Sequence, residues 1–213
     1  MYAIDLEVLA AASVLQDPYP HFIGDGILKP GTAAKVLADF PVLKQTGFFP
    51  VSDLNVSGAF EDLIRDVNEP AFSALVGEKL GLELTDKPKL ITLRHWSAAS
   101  DGRIHTDSLS KIATVLIYLN EGWRDLSAGR LRVLRNNHDF EDYSAEINPT
   151  LGTFFGFRRT ENSWHGHLPF AGERKVLQIT WLIDASKLTH KRRTAKIGGW
   201  LKALNPFNRG GQK

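Results

Sequence analysis

Cysteine is absent from the 213 residues. That single gap excludes disulfides, a thiolate nucleophile and any cysteine zinc site, so a bound metal must rest on His, Asp, Glu or water. Long apolar runs are absent too: no stretch approaches the roughly 20 residues that a membrane helix requires. The start, Met1-Tyr-Ala-Ile-Asp-Leu-Glu7, lacks the basic and apolar regions of a secretory signal, and cytoplasmic residence is the expectation. Internal repeats and low-complexity blocks are missing as well. The last 27 residues contain no acidic side chain, yet they hold eight of the 26 basic ones. Residues 1–186 therefore carry a net charge of −6, against +2 for the whole chain. An acidic body with a basic tail puts any contact with anionic lipid on the tail.

What is present is the composition of one globular domain, 43% hydrophobic and 23% charged, with twelve Phe and five Trp to fill a core. Residues 1–16 read as a short helix, and 18–23 as an extended segment. Pro30 and Thr32 announce a helix that ends before Pro41. Residues 61–80, with Leu63, Val67, Phe72 and Leu75 apolar, read as helical with a break near Pro70. From residue 89 the texture changes to β-branched and aromatic runs at 90–96, 112–119, 129–134, 153–157 and 176–183, separated by Gly, Asn, Asp and Ser. Helices followed by short strands predict an α+β chain whose core is a sandwich, jelly roll or barrel. The boundaries are a domain over 1–186, helical to about 85 and stranded beyond it, then a tail over 187–213. In the tail, Ile197, Trp200, Leu201 and Leu204 can share a helical face. The alternatives there are an interfacial anchor, or a segment that is packed on the domain or partly disordered.

One constellation carries chemistry. His105-Thr106-Asp107 follows a turn-like stretch, and a second histidine, His165, follows Asp107 after 57 intervening residues, between two strands. An isolated His-x-Asp means little. In an extended segment, however, His105 and Asp107 leave the same face and can chelate one ion. Two imidazoles and one carboxylate from different segments form the ligand set of a mononuclear iron(II) centre with open coordination positions. Such a centre pairs with a dicarboxylic 2-oxo acid, which chelates the metal at one end and leaves a second carboxylate to be buried. A buried carboxylate needs a cation, and Arg174 and Lys175 open the last strand. Arg174, Val176, Gln178 and Thr180 share one face of it; Lys175, Leu177, Ile179 and Trp181 share the other. The first face is the more polar, which favours Arg174 over Lys175. Tyr118, in phase with Thr114 and Leu116, offers a hydroxyl to the same carboxylate. His167 shares the parity of His165, and either a place near the site or an ordinary surface position suits it.

An ordered series of runs carries a family resemblance: His105-Thr-Asp107-Ser, Thr114-Val-Leu-Ile-Tyr-Leu-Asn120, Gly129-Arg-Leu-Arg-Val-Leu134, Ser163-Trp-His-Gly-His-Leu-Pro169 and Gly172-Glu-Arg-Lys175. Together they resemble the prolyl-4-hydroxylase-like 2-oxoglutarate and Fe(II)-dependent dioxygenases, across roughly residues 18–183. The resemblance implies a double-stranded β-helix supported by N-terminal helices. It also implies His105, Asp107 and His165 as iron ligands, Arg174 or Lys175 on the 2-oxoglutarate carboxylate, and Tyr118 as its hydroxyl partner. The implied reaction is hydroxylation with release of succinate and CO2, O2 as oxidant and ascorbate as a stimulatory reductant, on a peptidyl residue or a small molecule. An Asp at 107, rather than Gly or Ala, fits hydroxylation and not halogenation. Many relatives carry Tyr-x-x-Gly ahead of the first histidine, where this chain has Arg94-His95-Trp96, so the co-substrate contacts from that strand differ. Two other readings share the jelly roll: a binding module with a vestigial metal site, and a cupin-type metalloenzyme that uses no 2-oxoglutarate. Nucleic acid is not an expected partner, and anionic membrane contact through the tail is weak at most.

Overall fold

The computed structural model describes residues 2–123 and 128–186. The tail and its proposed helical face lie outside the described residues. No helix among the described residues is long and apolar enough to cross a membrane.

The amino-terminal third is helical, in shorter pieces than the sequence suggests. Helix α1 spans only Leu6–Ala11, because Asp5 caps it, its carboxylate accepting from the Glu7 and Val8 amides. Val14–Leu15 then forms strand β1, paired with β2, His21–Gly24. Helix α2 is Ala33–Ala38. The segment read as one broken helix is two, α3 (Gly58–Asn68) and α4 (Pro70–Leu80). Pro70 occupies the first turn of α4, where its missing N–H costs nothing. The start of the chain is tied down by Asp66 on α3. Its buried carboxylate accepts from the amides of Tyr2, Ala3 and Ile4 at 3.0, 2.7 and 2.9 Å.

The strands build two antiparallel sheets. Strands β3 (Phe49–Pro50), β4 (Lys89–Ser97), β5 (Lys111–Tyr118), β8 (Phe154–Arg158) and β10 (Gly172–Leu182) join β1 and β2 in a seven-stranded sheet ordered β1-β2-β8-β5-β10-β4-β3. A smaller sheet has the order β7-β6-β9, from Tyr143–Ile147, Leu131–Leu134 and His165–Gly166. Strand β7 has no counterpart in the predicted strands. Tyr143 to Glu146 are all half-buried, so no clean period of two marks them.

The seven-stranded sheet has two different faces. Val115, Ile117, Leu177, Ile179 and Trp181 point outward into a core shared with the helices, where Phe72 stacks on Trp181. Leu116, Tyr118, Phe155, Phe157 and Val176 point inward and meet Leu131, Val133 and Ile147 of the small sheet. This is an α+β fold with a jelly-roll core and helices backing one sheet, and the cavity opens between the two sheets. Where β2 meets β8, aromatic rings lie across glycines. A Cβ on Gly156 would stand 2.1 Å from Phe22 Cζ, so that close approach requires glycine.

Candidate metal centre and co-substrate pocket

His105 and His165 are brought together by backbone pairing. Each donates its amide to the other's carbonyl at 3.0 Å, which extends the small sheet by one rung. Asp107, two residues on, leaves on the same side. Ligating atoms of His105, Asp107 and His165 all lie within 4.8 Å of one another, close enough to share one ion. Asp107 and His165 are buried and His105 is exposed.

Hydrogen bonds preset these donors. The Nδ1 atoms of His105 and His165 lie 2.8 and 2.9 Å from the carbonyls of Arg103 and Ser163. That contact requires Nδ1 to carry the proton and leaves each Nε2 lone pair for a metal. Burial, then the neighbouring His105, lowers the His165 pKa to about 4, with Asp107 opposing. Burial alone would raise the Asp107 pKa. The Lys111 ammonium, His165 and the hydrogen bonds from Lys111 and Thr114 outweigh it and hold the carboxyl well below its usual range. Lys111 bonds Asp107 Oδ1, and the Thr114 hydroxyl donates to Oδ2 at 2.7 Å. Asp107 is therefore ionised and His165 neutral at neutral pH, the states a divalent cation requires of them. Two imidazoles and a carboxylate suit iron(II).

The cavity beside this triad has a volume of about 270 Å³. Leu116, Leu131 and Phe157 supply apolar wall, and Arg174 and Gln178 reach in from β10. A β-bulge between Glu173 and Val176 turns Arg174 inward. There it is 3% exposed. Its Nε donates to the Gly129 carbonyl at 3.0 Å and its Nη2 to the Tyr118 hydroxyl at 3.3 Å. Burial raises the Tyr118 pKa, and Arg174 only partly offsets it, so the phenol stays protonated. Lys175 takes the other face. Its Nζ pairs with Glu173 at 2.9 Å and lies over the Phe40 ring, away from the cavity. Of the two basic residues considered for a co-substrate carboxylate, only Arg174 lines the pocket.

Two lining residues, Arg94 and Lys111, escaped the sequence reading, and a third, His167, stood open between the site and the surface. Arg94 occupies the position noted only as a departure from the Tyr-x-x-Gly pattern, and the phase of Thr92 and Arg94 along β4 was the available signal. Lys111 stands four residues after Asp107, a spacing not used. His167 proves buried at 4% exposure, not a surface residue. Its amide donates to the Gly102 carbonyl at 2.8 Å, and burial followed by Arg174 lowers its pKa to about 3.

Residues 92–183 match the family model of the 2OG-Fe(II) oxygenase superfamily. No curated protein matches the chain. Among solved structures, it is similar to a prolyl-4-hydroxylase of Pseudomonas putida, at 16% identity and a TM-score of 0.53, over 83% of this chain and 88% of that one. A prolyl hydroxylase of Trichoplax adhaerens, solved with a hypoxia inducible factor oxygen degradation domain peptide fragment, gives the same identity and TM-score over 78% and 85%. A prolyl 4-hydroxylase of Phytophthora capsici follows at 18% and 0.50, over 86% and 68%. These likenesses define the class by its fold, that of the prolyl-4-hydroxylases. Residues 92–183 thus have the sequence pattern of a 2OG-Fe(II) oxygenase domain, a class that uses Fe(II) and 2-oxoglutarate.

Proposed function

We propose that His105, Asp107 and His165 hold the Fe(II), that Arg174 and Tyr118 hold the distal carboxylate of 2-oxoglutarate, and that the enzyme hydroxylates a substrate admitted on the exposed His105 side. The observation that carries this reading is the triad itself, with both imidazole Nδ1 atoms engaged by carbonyls and the carboxylate kept ionised. When bound, Fe(II) and 2-oxoglutarate supply the oxidising power, consuming O2, releasing succinate and CO2 and placing one oxygen atom in a C–H bond of the substrate.

The chain's own residues bind, orient and exclude water. Arg174 reaches the cavity already fixed by Gly129, so little side-chain freedom is lost when a carboxylate arrives. The Tyr118 hydroxyl accepts from Arg174 and keeps its proton to donate to the same carboxylate. Leu116, Leu131 and Phe157 keep the reacting volume apolar. Residues 1–186 form the catalytic unit, with 187–213 appended to it.

Anaerobic addition of Fe(II) and then 2-oxoglutarate to the full chain tests the reading. A weak visible charge-transfer band is expected, lost in His105→Ala and Asp107→Ala, with succinate formed once O2 is admitted. A band of undiminished intensity in both variants would overturn the ligand assignment. A wild-type protein with neither band nor succinate would favour the binding module.

A further inference from the structure

The pocket holds a second buried guanidinium, which the reading above leaves without a task. Arg94 on β4 is 8% exposed and lines the same cavity as Arg174. Register explains why. Val176 of β10 pairs with Arg94 on one side and with Tyr118 on the other, so these side chains flank one strand at one level. Neighbouring strands are about 4.8 Å apart, and a guanidinium at that level reaches the end of the pocket where Arg174 meets Tyr118.

The contacts of Arg94 do not satisfy it. Its Nη1 donates to the Ser97 hydroxyl at 3.0 Å, its Nη2 stands 3.5 Å from an Asp101 oxygen, and the group lies over the Phe48 ring at 4.2 Å. Its buried Nε has no hydrogen-bond partner among the described residues. A buried donor without a partner costs about 1–3 kcal/mol, more on a charged group. Burial and the charge of Arg174 also outweigh Asp101 and lower the Arg94 pKa to about 10. Arg174, for its part, leaves Nη1 uncommitted by its bonds to Gly129 and Tyr118. Two guanidiniums facing one small cavity repel each other until an anion stands between them. A carboxylate, with two oxygens and about four acceptor sites, can take donors from both.

We propose that Arg94 is a second guanidinium on the distal carboxylate of the 2-oxo acid, closing a two-arginine clamp with Arg174 and Tyr118. The inference rests on the co-substrate site described above and extends it. The clamp makes the distal carboxylate the main determinant of co-substrate choice.

Calorimetric titration of the full-length, Mn(II)-loaded protein tests it without turnover. The probes are 2-oxoglutarate and 2-oxovalerate, which has the same length but no distal carboxylate. Arg94→Gln keeps a donor for Ser97 and should weaken 2-oxoglutarate at least tenfold while changing 2-oxovalerate less than twofold; Arg94→Lys should recover part of the loss. Equal weakening of both acids would make Arg94 a structural partner of Asp101 and overturn the clamp. So would 2-oxoglutarate affinity within twofold of wild type in Arg94→Gln while Arg174→Met is impaired. Normal 2-oxoglutarate binding in both Arg94→Gln and Arg174→Met would bring down the co-substrate reading itself.

Discussion

Replacing Arg174 by methionine removes a buried cation while keeping most of its length and apolar stem. In the free protein the change removes two hydrogen bonds, to the Gly129 carbonyl and the Tyr118 hydroxyl, and the guanidinium's place over the Tyr118 ring. With 2-oxoglutarate bound, the change leaves a carboxylate facing a dry pocket without its main partner. Truncating one side of a buried, hydrogen-bonded charge pair costs about 2–5 kcal/mol or more. At about 1.4 kcal/mol per decade, affinity should fall about 30-fold to several thousand-fold. The neighbouring substitution Lys175→Met is the internal control. Its ammonium pairs with Glu173 on the outer face, and pairs of that kind contribute about 0–1 kcal/mol. Affinity for 2-oxoglutarate should then change less than about fivefold. Calorimetry on the Mn(II)-loaded full chain reads both numbers directly, and urea unfolding checks that each variant is folded. A loss in Lys175→Met equal to that in Arg174→Met would refute the reasoning, as would Arg174→Met within fivefold of wild type.

Acid should destabilise the metal-free protein. His165 and His167 stay neutral to about pH 4 and about pH 3 in the folded state, against 6.5 ordinarily, so the unfolded chain binds more protons over that interval. Their stabilisation is full above about pH 6.5 and is lost as the pH falls, on the order of 3 kcal/mol by pH 4 for His165 alone; a urea midpoint that does not drop between pH 7 and pH 5 would contradict this. Lys111→Met should tighten Mn(II) binding severalfold, since the ammonium competes for the Asp107 carboxylate. Unchanged or weaker binding would mean that Lys111 leaves that carboxylate without cost. Gly102→Ala should cost roughly 1–3 kcal/mol: the residue has φ +94 and its Cβ would stand 2.4 Å from His167 Nδ1. A melting temperature equal to wild type would count against that packing argument.

Much of the site was legible because its chemistry depends on residue type and strand parity. His105 and Asp107 are two apart, so an extended backbone must send both to one side. Arg174 shares parity with Gln178 and Thr180, and that alone preferred it to Lys175. Arg94 was harder to see, since an arginine in a β run is ordinarily exposed. Only the pairing of β4 with β10 puts it beside Arg174. His167 stood open between a place near the site and the surface because nothing local shows that the loop at Gly102 folds over it. Strand β7 was missed for a related reason, as both of its faces remain half-buried.

The sequence by itself determined the order of the main helices and strands, the residue types of the candidate triad and the face of the last strand that is polar. These follow from local rules: propensity, period and the chemistry of the side chains. Only the tertiary structure decided which groups meet. It joined His105 to His165 through two amide–carbonyl bonds across 60 residues of chain, and put Lys111 and Thr114 on Asp107. It also brought Arg94 and Arg174 to a single cavity, with the Tyr118 hydroxyl bonded to Arg174. Distances across strands depend on register and burial, and both are properties of the packed molecule that a local pattern does not carry.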